Sequence, residues 1–304
     1  MAECNKLDHR LDKYIKLKYG KNIPQALIEK SLRNKDITVN GAKAKASTRV
    51  TDEDDIQVSQ HLEKLFTQIF CEAYDDKNSN PKARDYSKHL ARFKSWIIYE
   101  DSDIIVLNKP SGIAMQLGTK TKIAIDVVAK EYCQDARIVH RLDKDTSGVT
   151  IIAKNLQTAR WLTREFQCKN VEKQYYAMVT PRIDADVGSE ITIDRPIIKL
   201  SDKSYVDYEK GKKAVTIFKV ERHVGHNKTL VLAKPLTGRM HQIRVHLASI
   251  EHNILGDNKY LAIDAGNRYK RFMLHAYSIR FKIGNGKYMH FKAELDDDWT
   301  KDIG

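Results

Sequence analysis

The stretch HRLDKDTSGVTIIAK, residues 140–154, joins a charged loop directly to an apolar strand. Charges alternate in its first half, and Gly148 closes the loop immediately before Val149. The second half is rich in β-branched residues, a pattern typical of a buried strand. A rigid strand can hold a side chain of the preceding loop at the rim of a sheet. The stretch therefore predicts a sheet with a chemically active loop at its edge.

Asp143 is the candidate reactive group of this loop. Arg141 and Lys144 flank it, and positive neighbours favour the ionised carboxylate that a nucleophile or base requires. The residues alone leave a second interpretation open. In that alternative the segment is an ordinary turn, whose Asp and Ser side chains hydrogen-bond their own backbone.

A second distinctive segment is PLTGRMHQIRVH, residues 235–246. Its Pro, Thr and Gly predict a turn, and a helix follows with Ile243 and Leu247 on its apolar stripe. Arg244 lies about 100° around that helix from Ile243, at the edge of the stripe, where it could reach a buried anion. An ordinary surface arginine is the alternative.

The third segment is KQYYA, residues 173–177, a predicted strand. Alternation places Tyr175 and Ala177 on one face and Tyr176 on the other. An aromatic side chain on a strand can stack on an extruded base, although packing in a core is its commoner use.

Strand patterns outnumber helical ones from residue 96 onward. The predicted strands are 97–99, 104–107, 149–154, 173–179, 215–220, 229–233 and 272–281. Asn155 is placed to cap a helix after the third of these. Because strands and helices do not alternate regularly, the fold class predicted is α+β, with a largely antiparallel or mixed sheet.

Residues 8–60 form a separate predicted module, with two short helices followed by a strand that ends in Asn40-Gly41, a strong hairpin signal. Residues 61–95 contain a polar stretch rich in helix- and strand-breaking residues, 75–82, and are predicted to be a linker or insertion. Residues 96–304 are predicted to form the larger domain.

Basic charge is concentrated in the N-terminal module. The chain carries a net charge of +13, and residues 1–50 contain 12 basic side chains against five acidic ones. Such an excess favours a polyanionic partner, although a generic solvated surface is the alternative. The residues predicted to contact RNA in this module are Arg10, Lys13, Lys30, Arg33, Lys35, Lys43 and Lys45.

Several classes of protein do not fit this composition. No apolar run approaches the roughly 20 residues of a membrane-spanning helix, and the N-terminus lacks the apolar core of a signal peptide, so a cytoplasmic protein with no membrane partner is expected. The four cysteines have no C-x-x-C spacing, and His241 and His246 lack the intervening Glu of a zinc-protease helix. No metal is expected.

Taken together, these segments resemble the ribosomal large-subunit pseudouridine synthases typified by the A-type enzyme, and within them the C-type branch. The resemblance covers about residues 97–296. It depends on the motifs H-R-L-D-x-x-T-S-G (140–148), N-K-P (108–110), K-x-Y (173–175), G-K-x-A-x-T-x-F (211–218), T-G-R-x-H-Q-I-R-V-H (237–246), Gly256-Asp257 with Tyr260, and Leu274-His275-Ala276.

The N-terminal module resembles the RNA-binding domain of ribosomal protein S-four, at RLDK (10–13) and ITVNG (37–41) followed by Lys43. Departures from the synthase pattern are Met240, where Thr or Ser is usual, the residues 114–116, where a Val-His pair is common, and a longer insertion at 64–92. They leave the hallmark aspartate intact.

The resemblance implies a fold, a reaction and a set of site residues. Asp143 would be the catalytic carboxylate, Arg244 would pair with it, Tyr175 would stack on the target base, and Arg141 would fill the gap left by the flipped nucleotide. The remaining substrate-binding residues implied are His140, Leu142, Thr146, Lys173, Arg239, His241, Gln242 and Leu274. The substrate would be large-subunit ribosomal RNA, the protein a monomer, and no cofactor would be needed.

Three alternatives remain at the level of sequence. One is a D-type or transfer-RNA-modifying synthase of the same family. The second is a non-catalytic RNA-binding protein of ribosome assembly. The third is a glycoside hydrolase, which also acts at an anomeric carbon but requires two carboxylates with separate roles; Asp145 is the only near partner for Asp143.

Overall fold

The computed structural model describes residues 9–19, 23–51, 54–66, 87–117, 123–260, 271–283, 286–296 and 299. The chain divides into two compact units, Met1–Asp85 and Tyr86–Gly304. Within the described residues, no helix is long and apolar enough to cross a membrane.

The first unit is a small α/β module. Its helices are α1 (Leu11–Tyr19) and α2 (Gln25–Arg33). Its strands are β1 (His9–Arg10), β2 (Ile37–Val39), β3 (Ala42–Lys43), β4 (Arg49–Val50) and β5 (Ile56–Val58). β1 pairs with β4, and β2 pairs with β3 and β5, all antiparallel.

The Asn40-Gly41 turn between β2 and β3 forms as the sequence predicts. Both residues have positive φ, 50° and 74°, which is the backbone of the two-residue turn whose twist matches an antiparallel hairpin. Leu11, Ile15 and Ile28 of the two helices are fully buried and share the apolar core of the unit with Ile37 of β2.

The segment predicted as a linker, 61–95, is in part structured. Residues 60–66 are helical, and their Leu62 and Phe66 belong to the apolar core of the first unit. At the other end, helix α3 (Ser87–Ser95) inserts Phe93 into the core of the second unit. Apolar side chains at helical spacing explain both results. The polar stretch 75–82 lies outside the described residues.

The second unit is built on an 11-stranded sheet. Its central path runs β11-β14-β15-β10-β17-β9-β7-β6, with β8, β16 and β18 paired at its sides. Its strands are β6 (Ile97–Glu100), β7 (Ile104–Lys109), β8 (Arg137–Ile138), β9 (Ser147–Ala153), β10 (Glu172–Thr180), β11 (Glu190–Asp194), β14 (Val215–Val224), β15 (Lys228–Pro235), β16 (Asn253–Ile254), β17 (Leu274–Lys282) and β18 (Tyr288–Lys292). A separate hairpin consists of β12 (Ile197–Leu200) and β13 (Lys203–Val206).

The remaining helices are α4 (Ile125–Tyr132), α5 (Leu156–Gln167) and α6 (Gln242–Ala248). Asn155 caps α5 as predicted, because its side chain accepts a hydrogen bond from the amide of Thr158 at 2.8 Å. The α+β class with a mostly antiparallel, mixed sheet is confirmed.

Two apolar cores meet at the centre of the sheet. One packs β7 and β9 against α3, α4 and α5, and the other packs β10, β14 and β15 against α6. Tyr175 of β10 borders both cores. We call the boundary between the two cores the seam, and it lies where β9 pairs with β17. This is the parallel pair among the described strands, and it joins Ser147 to His275 and Gly148 to Ala276.

Gly148 makes this close pairing possible. Its φ is +109°, and a Cβ placed there would lie 2.2 Å from the carbonyl oxygen of Ala276. Only glycine fits both the backbone angle and the approach of the neighbouring strand. The glycine that ends the loop is therefore a packing requirement of the seam.

We expect Gly148→Ala to lower the free energy of unfolding by at least about 2 kcal/mol, because strain and a backbone clash add. Gly225→Ala is the matched control, since Gly225 has a φ of +57° but open space around it. It should cost only about 1 kcal/mol. Urea unfolding of both variants measures this, and equal losses would contradict the close-approach argument.

Candidate active site

The loop before β9, the starts of β10 and β17, the end of β15 and the start of α6 surround a cleft of about 570 Å³. All 12 residues predicted as catalytic or substrate-binding line it. They are His140, Arg141, Leu142, Asp143, Thr146, Lys173, Tyr175, Arg239, His241, Gln242, Arg244 and Leu274. Segments separated by more than 100 residues in the chain thus converge on one site.

The Asp143 loop is held from below by Lys109, the last residue of β7. This lysine is fully buried, and its ammonium donates to the carbonyl oxygens of Pro110, Ile113 and Lys144 at 2.9, 2.9 and 3.0 Å. Its three N–H groups match three acceptors, so one side chain fastens the 143–145 turn to the 110–113 turn. Gly112 adds an amide hydrogen bond to the same Lys144 carbonyl.

Burial lowers the pKa of Lys109 to about 7, against the opposing charges of Asp145 and Asp143. The N-K-P motif is visible in the sequence, but it does not by itself assign a role to this lysine. A lysine at the end of an otherwise apolar strand, IIVLNK (104–109), was the available signal, because a buried lysine must find polar partners.

Asp143 faces the cleft and lies between two cationic or polar partners. Its Oδ2 is 3.3 Å from Nη1 of Arg244 and 3.6 Å from Nε2 of His241, and its side chain is 35% exposed. The carboxylate is thus positioned by other segments, and the alternative of a turn closed by the Asp143 side chain does not describe this residue. Enough of the group is exposed to meet a substrate.

Arg244 is buried, as its position at the edge of the apolar stripe allowed. Its principal partner is Asp257, to which the sequence assigned no role. Its Nε and Nη2 donate to Asp257 Oδ2 and Oδ1 at 2.8 and 2.7 Å. The predicted pair with Asp143 is present but longer. The Gly256-Asp257 motif was the signal that could have revealed this carboxylate.

The arginine lies between two aromatic rings. Its guanidinium carbon is 4.8 Å from the ring centroid of Phe272 and 5.1 Å from that of Tyr260. Burial works against its charge, but the hydrogen bonds and charge of Asp257 outweigh burial and raise the pKa of Arg244. The site therefore contains a permanent cation with one N–H directed to Asp143.

Tyr175 forms the aromatic wall of the cleft. Its cross-strand neighbours are Ala233 and Ala276, whose small side chains leave the ring accessible. The register between β10 and β17 shifts between Gln174 and Tyr175, an irregularity that re-aims a side chain. Burial, aided by the charge of Asp143, raises the pKa of Tyr175, so the hydroxyl stays protonated near neutral pH.

His140 and Gln242 line the cleft but bind mainly the protein itself. Nε2 of His140 accepts the amide of Ile151 at 2.9 Å, its ring stacks on Phe166 at 4.6 Å, and burial lowers its pKa to about 3. Gln242 donates to the Val215 carbonyl and accepts from the Arg239 amide. Both side chains have a scaffold role that the sequence did not separate from substrate contact.

The other predicted residues form the floor and the rim of the cleft, and Lys173, Arg239 and Arg141 are those of the rim. Leu142, Thr146 and Leu274 are buried and form the floor. Lys173 is partly buried, and burial lowers its pKa. Arg239 donates to the Lys213 carbonyl at 3.1 Å. Arg141 is exposed, and no described residue pairs with its guanidinium.

In the first unit, the seven predicted RNA-contacting residues are all exposed. Lys30, Arg33 and Lys35 cluster at the end of α2, while Lys43 and Lys45 belong to and follow the β3 strand. Arg10 differs, because it is held by Asp12 through bonds of 3.1 and 2.7 Å. Its charge is therefore partly neutralised within the unit.

The arrangement combines an exposed carboxylate, a buried counter-cation, an aromatic wall and a basic rim. A carboxylate in such a setting can attack or stabilise an electron-deficient carbon, while the ring can hold a planar base. Among the described residues, no group of three or more His, Cys, Asp or Glu side chains could hold a metal ion.

Comparison with known proteins gives consistent matches. The family model described as RNA pseudouridylate synthase matches residues 103–249. Ribosomal large subunit pseudouridine synthase C of Rickettsia prowazekii is 36% identical, over 97% of this chain and 96% of that protein. Ribosomal large subunit pseudouridine synthase D of Borreliella burgdorferi is 39% identical, over 66% of this chain and 64% of that protein.

A solved structure is also similar. Human RNA pseudouridylate synthase domain containing 1 has a TM-score of 0.57 and 28% identity, over 66% of this chain and 82% of that one. The family model includes Asp143, Tyr175 and Arg244 within its limits.

We expect Lys109→Met to lower the free energy of unfolding by about 3 kcal/mol, because the carbonyls of Pro110 and Ile113 lose the Lys109 donor and that of Lys144 keeps only the Gly112 amide. Hydrogen exchange at the Gly112 amide should accelerate as the two turns separate. Lys154→Met, which removes a partly exposed lysine bonded to Glu100 and the Asp101 carbonyl, is the control and should cost about 1 kcal/mol or less. An unchanged Gly112 exchange rate in Lys109→Met would rule out the fastening role.

Proposed function

This chain belongs to the RNA pseudouridylate synthase family represented by the ribosomal large-subunit enzymes, and on that premise we propose that it isomerises specific uridines of large-subunit ribosomal RNA to pseudouridine. The observation that carries the proposal is the position of Asp143, exposed in the cleft and held between Arg244 and His241. C-type relatives that cover nearly the whole chain support the ribosomal substrate.

Pseudouridine formation breaks the N1–C1′ glycosidic bond, turns the base and joins C5 to C1′. C5 then loses its proton and N1 gains one, so that the product is an isomer of uridine. Asp143 would serve as the nucleophile that adds to the sugar or the base, or as the anion that stabilises a cationic sugar. Each route requires the ionised carboxylate. Arg244 supports that state because its charge is permanent and its third N–H is directed to Asp143.

The target base must leave its stack to reach a carboxylate inside a cleft. Tyr175 offers a ring that lines the cleft, suited to stacking on that base. Its hydroxyl is protonated near neutral pH, so any part in proton transfer at C5 begins from the neutral phenol. Arg141, exposed beside Asp143 and unpaired among the described residues, is suited to occupy the vacated position in the RNA.

The first unit is proposed to be an S-four-type RNA-binding domain. Two helices followed by an Asn-Gly hairpin, with Lys30, Arg33, Lys43 and Lys45 exposed, support this assignment. Phosphate contacts from such residues would increase the affinity for RNA but would take no part in the reaction.

A D-type specificity is the second candidate, because a D-type relative has the higher percentage identity over a shorter part of the chain. C-type relatives match across both units, and for that reason we favour the C-type target set. Mapping pseudouridines in ribosomal and transfer RNA from a deletion strain, against the parent strain, separates the two and also tests the transfer-RNA alternative.

We expect Asp143→Asn to fold and bind RNA while losing at least about 10³-fold in single-turnover rate, because no other carboxylate occupies its position. Asp145→Asn is the matched control, since Asp145 belongs to the same loop but does not line the cleft. It should keep most of the activity. Substantial turnover by Asp143→Asn would remove the basis of the proposal.

Replacing Lys30, Arg33, Lys43 and Lys45 together by Gln should weaken RNA binding and flatten its salt dependence. Four lost phosphate contacts reduce the slope of log affinity against log salt by about 3. Glu29→Gln, an exposed acidic residue on the same helix α2, should not flatten the slope. An unchanged slope in the fourfold variant would mean that this surface does not touch RNA.

A further inference from the structure

Tyr260 is a residue of the Gly256-Asp257 motif that neither the sequence nor the proposed mechanism assigns to a function. Its hydroxyl oxygen lies 2.8 Å from the amide of Ser204, in strand β13, and 2.8 Å from Nδ1 of His241. These are its polar partners within the described residues. The hydroxyl therefore joins the β12–β13 hairpin to the start of helix α6.

The two partners decide the direction of both hydrogen bonds. The Ser204 amide can only donate, so the oxygen of Tyr260 accepts there. The hydroxyl proton then has one acceptor among the described groups, Nδ1 of His241. Donation to Nδ1 leaves the proton of a neutral imidazole on Nε2, the nitrogen that faces Asp143 Oδ2 at 3.6 Å.

The backbone of His241 is consistent with this constrained position. Its φ and ψ are 56° and 22°, a left-handed conformation directly before α6, which costs a non-glycine residue about 1–2 kcal/mol. A residue held in that conformation directs its side chain away from the path that a helical residue would follow. The backbone of His241 therefore carries this strain where its side chain lies between Tyr260 and Asp143.

Tyr260 also contacts the other partner of Asp143. The guanidinium of Arg244 lies over its ring at 5.1 Å, and its own amide donates to Asp257 Oδ1 at 3.1 Å. The neighbouring Lys259 bonds to Asp202 in the turn of the hairpin at 3.0 Å. One side chain thus orients both groups that face the reactive carboxylate.

We propose that Tyr260 is a positioning residue of the reaction, which holds His241 neutral, with its Nε2–H directed to Asp143, and supports Arg244 on its ring face. This inference rests on the proposed function for its kinetic consequence. His241 in this state turns a polarised N–H toward Asp143, at 3.6 Å, without adding a second full positive charge beside it.

The surroundings of His241 favour the neutral state that this geometry needs. Burial lowers the pKa of His241; Arg244 and Lys259 act in the same direction, whereas Asp143 and Asp257 oppose them. Burial also raises the pKa of Tyr260, so its hydroxyl remains a donor. Without that donor, Nδ1 is free to take a proton, and we expect the pKa of His241 to rise.

Tyr260→Phe tests the proposal, because it keeps the ring under Arg244 and removes only the hydroxyl. We expect single-turnover pseudouridine formation to fall by roughly tenfold at neutral pH, with RNA affinity unchanged. The acid limb of the rate should move to higher pH, since imidazolium forms more readily. A purely structural role would lower the rate equally at every pH.

Tyr132→Phe is the matched control, because it removes a tyrosine hydroxyl that bonds to Glu100 at 2.8 Å outside the cleft. Its rate and pH profile should match those of the wild type. His241→Asn tolerates the left-handed backbone but lacks an imidazole, so adding Tyr260→Phe to it should cost little more than His241→Asn alone. Full additivity of the two effects would overturn the proposed coupling.

Nitrogen NMR of histidine-labelled protein gives a readout that is independent of catalysis. The resonances lost in His241→Asn identify His241, and we expect the Nε2–H tautomer in the wild type and its loss in Tyr260→Phe. The same tautomer and titration in both proteins would overturn the inference. Absence of pseudouridine formation by the wild type and Tyr132→Phe would instead refute the proposed function, while the tautomer measurement would still test Tyr260.

Discussion

The buried pair of Arg244 and Asp257 is the interaction on which the site depends. Arg244 is 7% exposed and Asp257 1% exposed, so neither charge is compensated by water. Removing a charge from water costs several kcal/mol unless a partner with good geometry replaces the solvent. The two short hydrogen bonds provide that partner, and they leave Nη1 of Arg244 for Asp143. Because Arg244 is already paired with Asp257, it can contact Asp143 through one N–H and leave that carboxylate partly exposed.

Around this pair, polar side chains divide into those used by the fold and those left for a substrate. Lys109 is fully occupied by backbone carbonyls, and Gln242 and His140 are occupied by backbone and hydroxyl groups. Asp143, Tyr175 and Arg141 retain an accessible face. The accessible side chains can be placed precisely only if the scaffold side chains are fully hydrogen-bonded. A buried network with unpaired polar groups would be unstable and mobile.

Much of the fold followed from local pattern. Tyr175, Asn155 and the Asn40-Gly41 turn were placed correctly, since alternation, capping and turn geometry act over a few residues. The linker assignment was too broad for the opposite reason. Phe66 and Phe93 lie in helical patterns on either side of the polar stretch 75–82, and each completes a core made of distant segments. Burial in those cores is a property of the assembled units, which a local window does not contain.

The sequence by itself determined the family and the strand-rich α+β class, and it singled out Asp143 as the candidate carboxylate, because the motifs that carry them are short and contiguous. The tertiary structure decided which groups face that carboxylate. The roles of Asp257 as the principal partner of Arg244, of Lys109 in fastening the loop, and of Tyr260 beside Arg244 and His241 were not visible in the sequence. Each depends on contacts between segments 13 to 56 residues apart in the chain. Such pairings depend on the path of the backbone through the sheet, and a linear pattern records only which residues are available to make them.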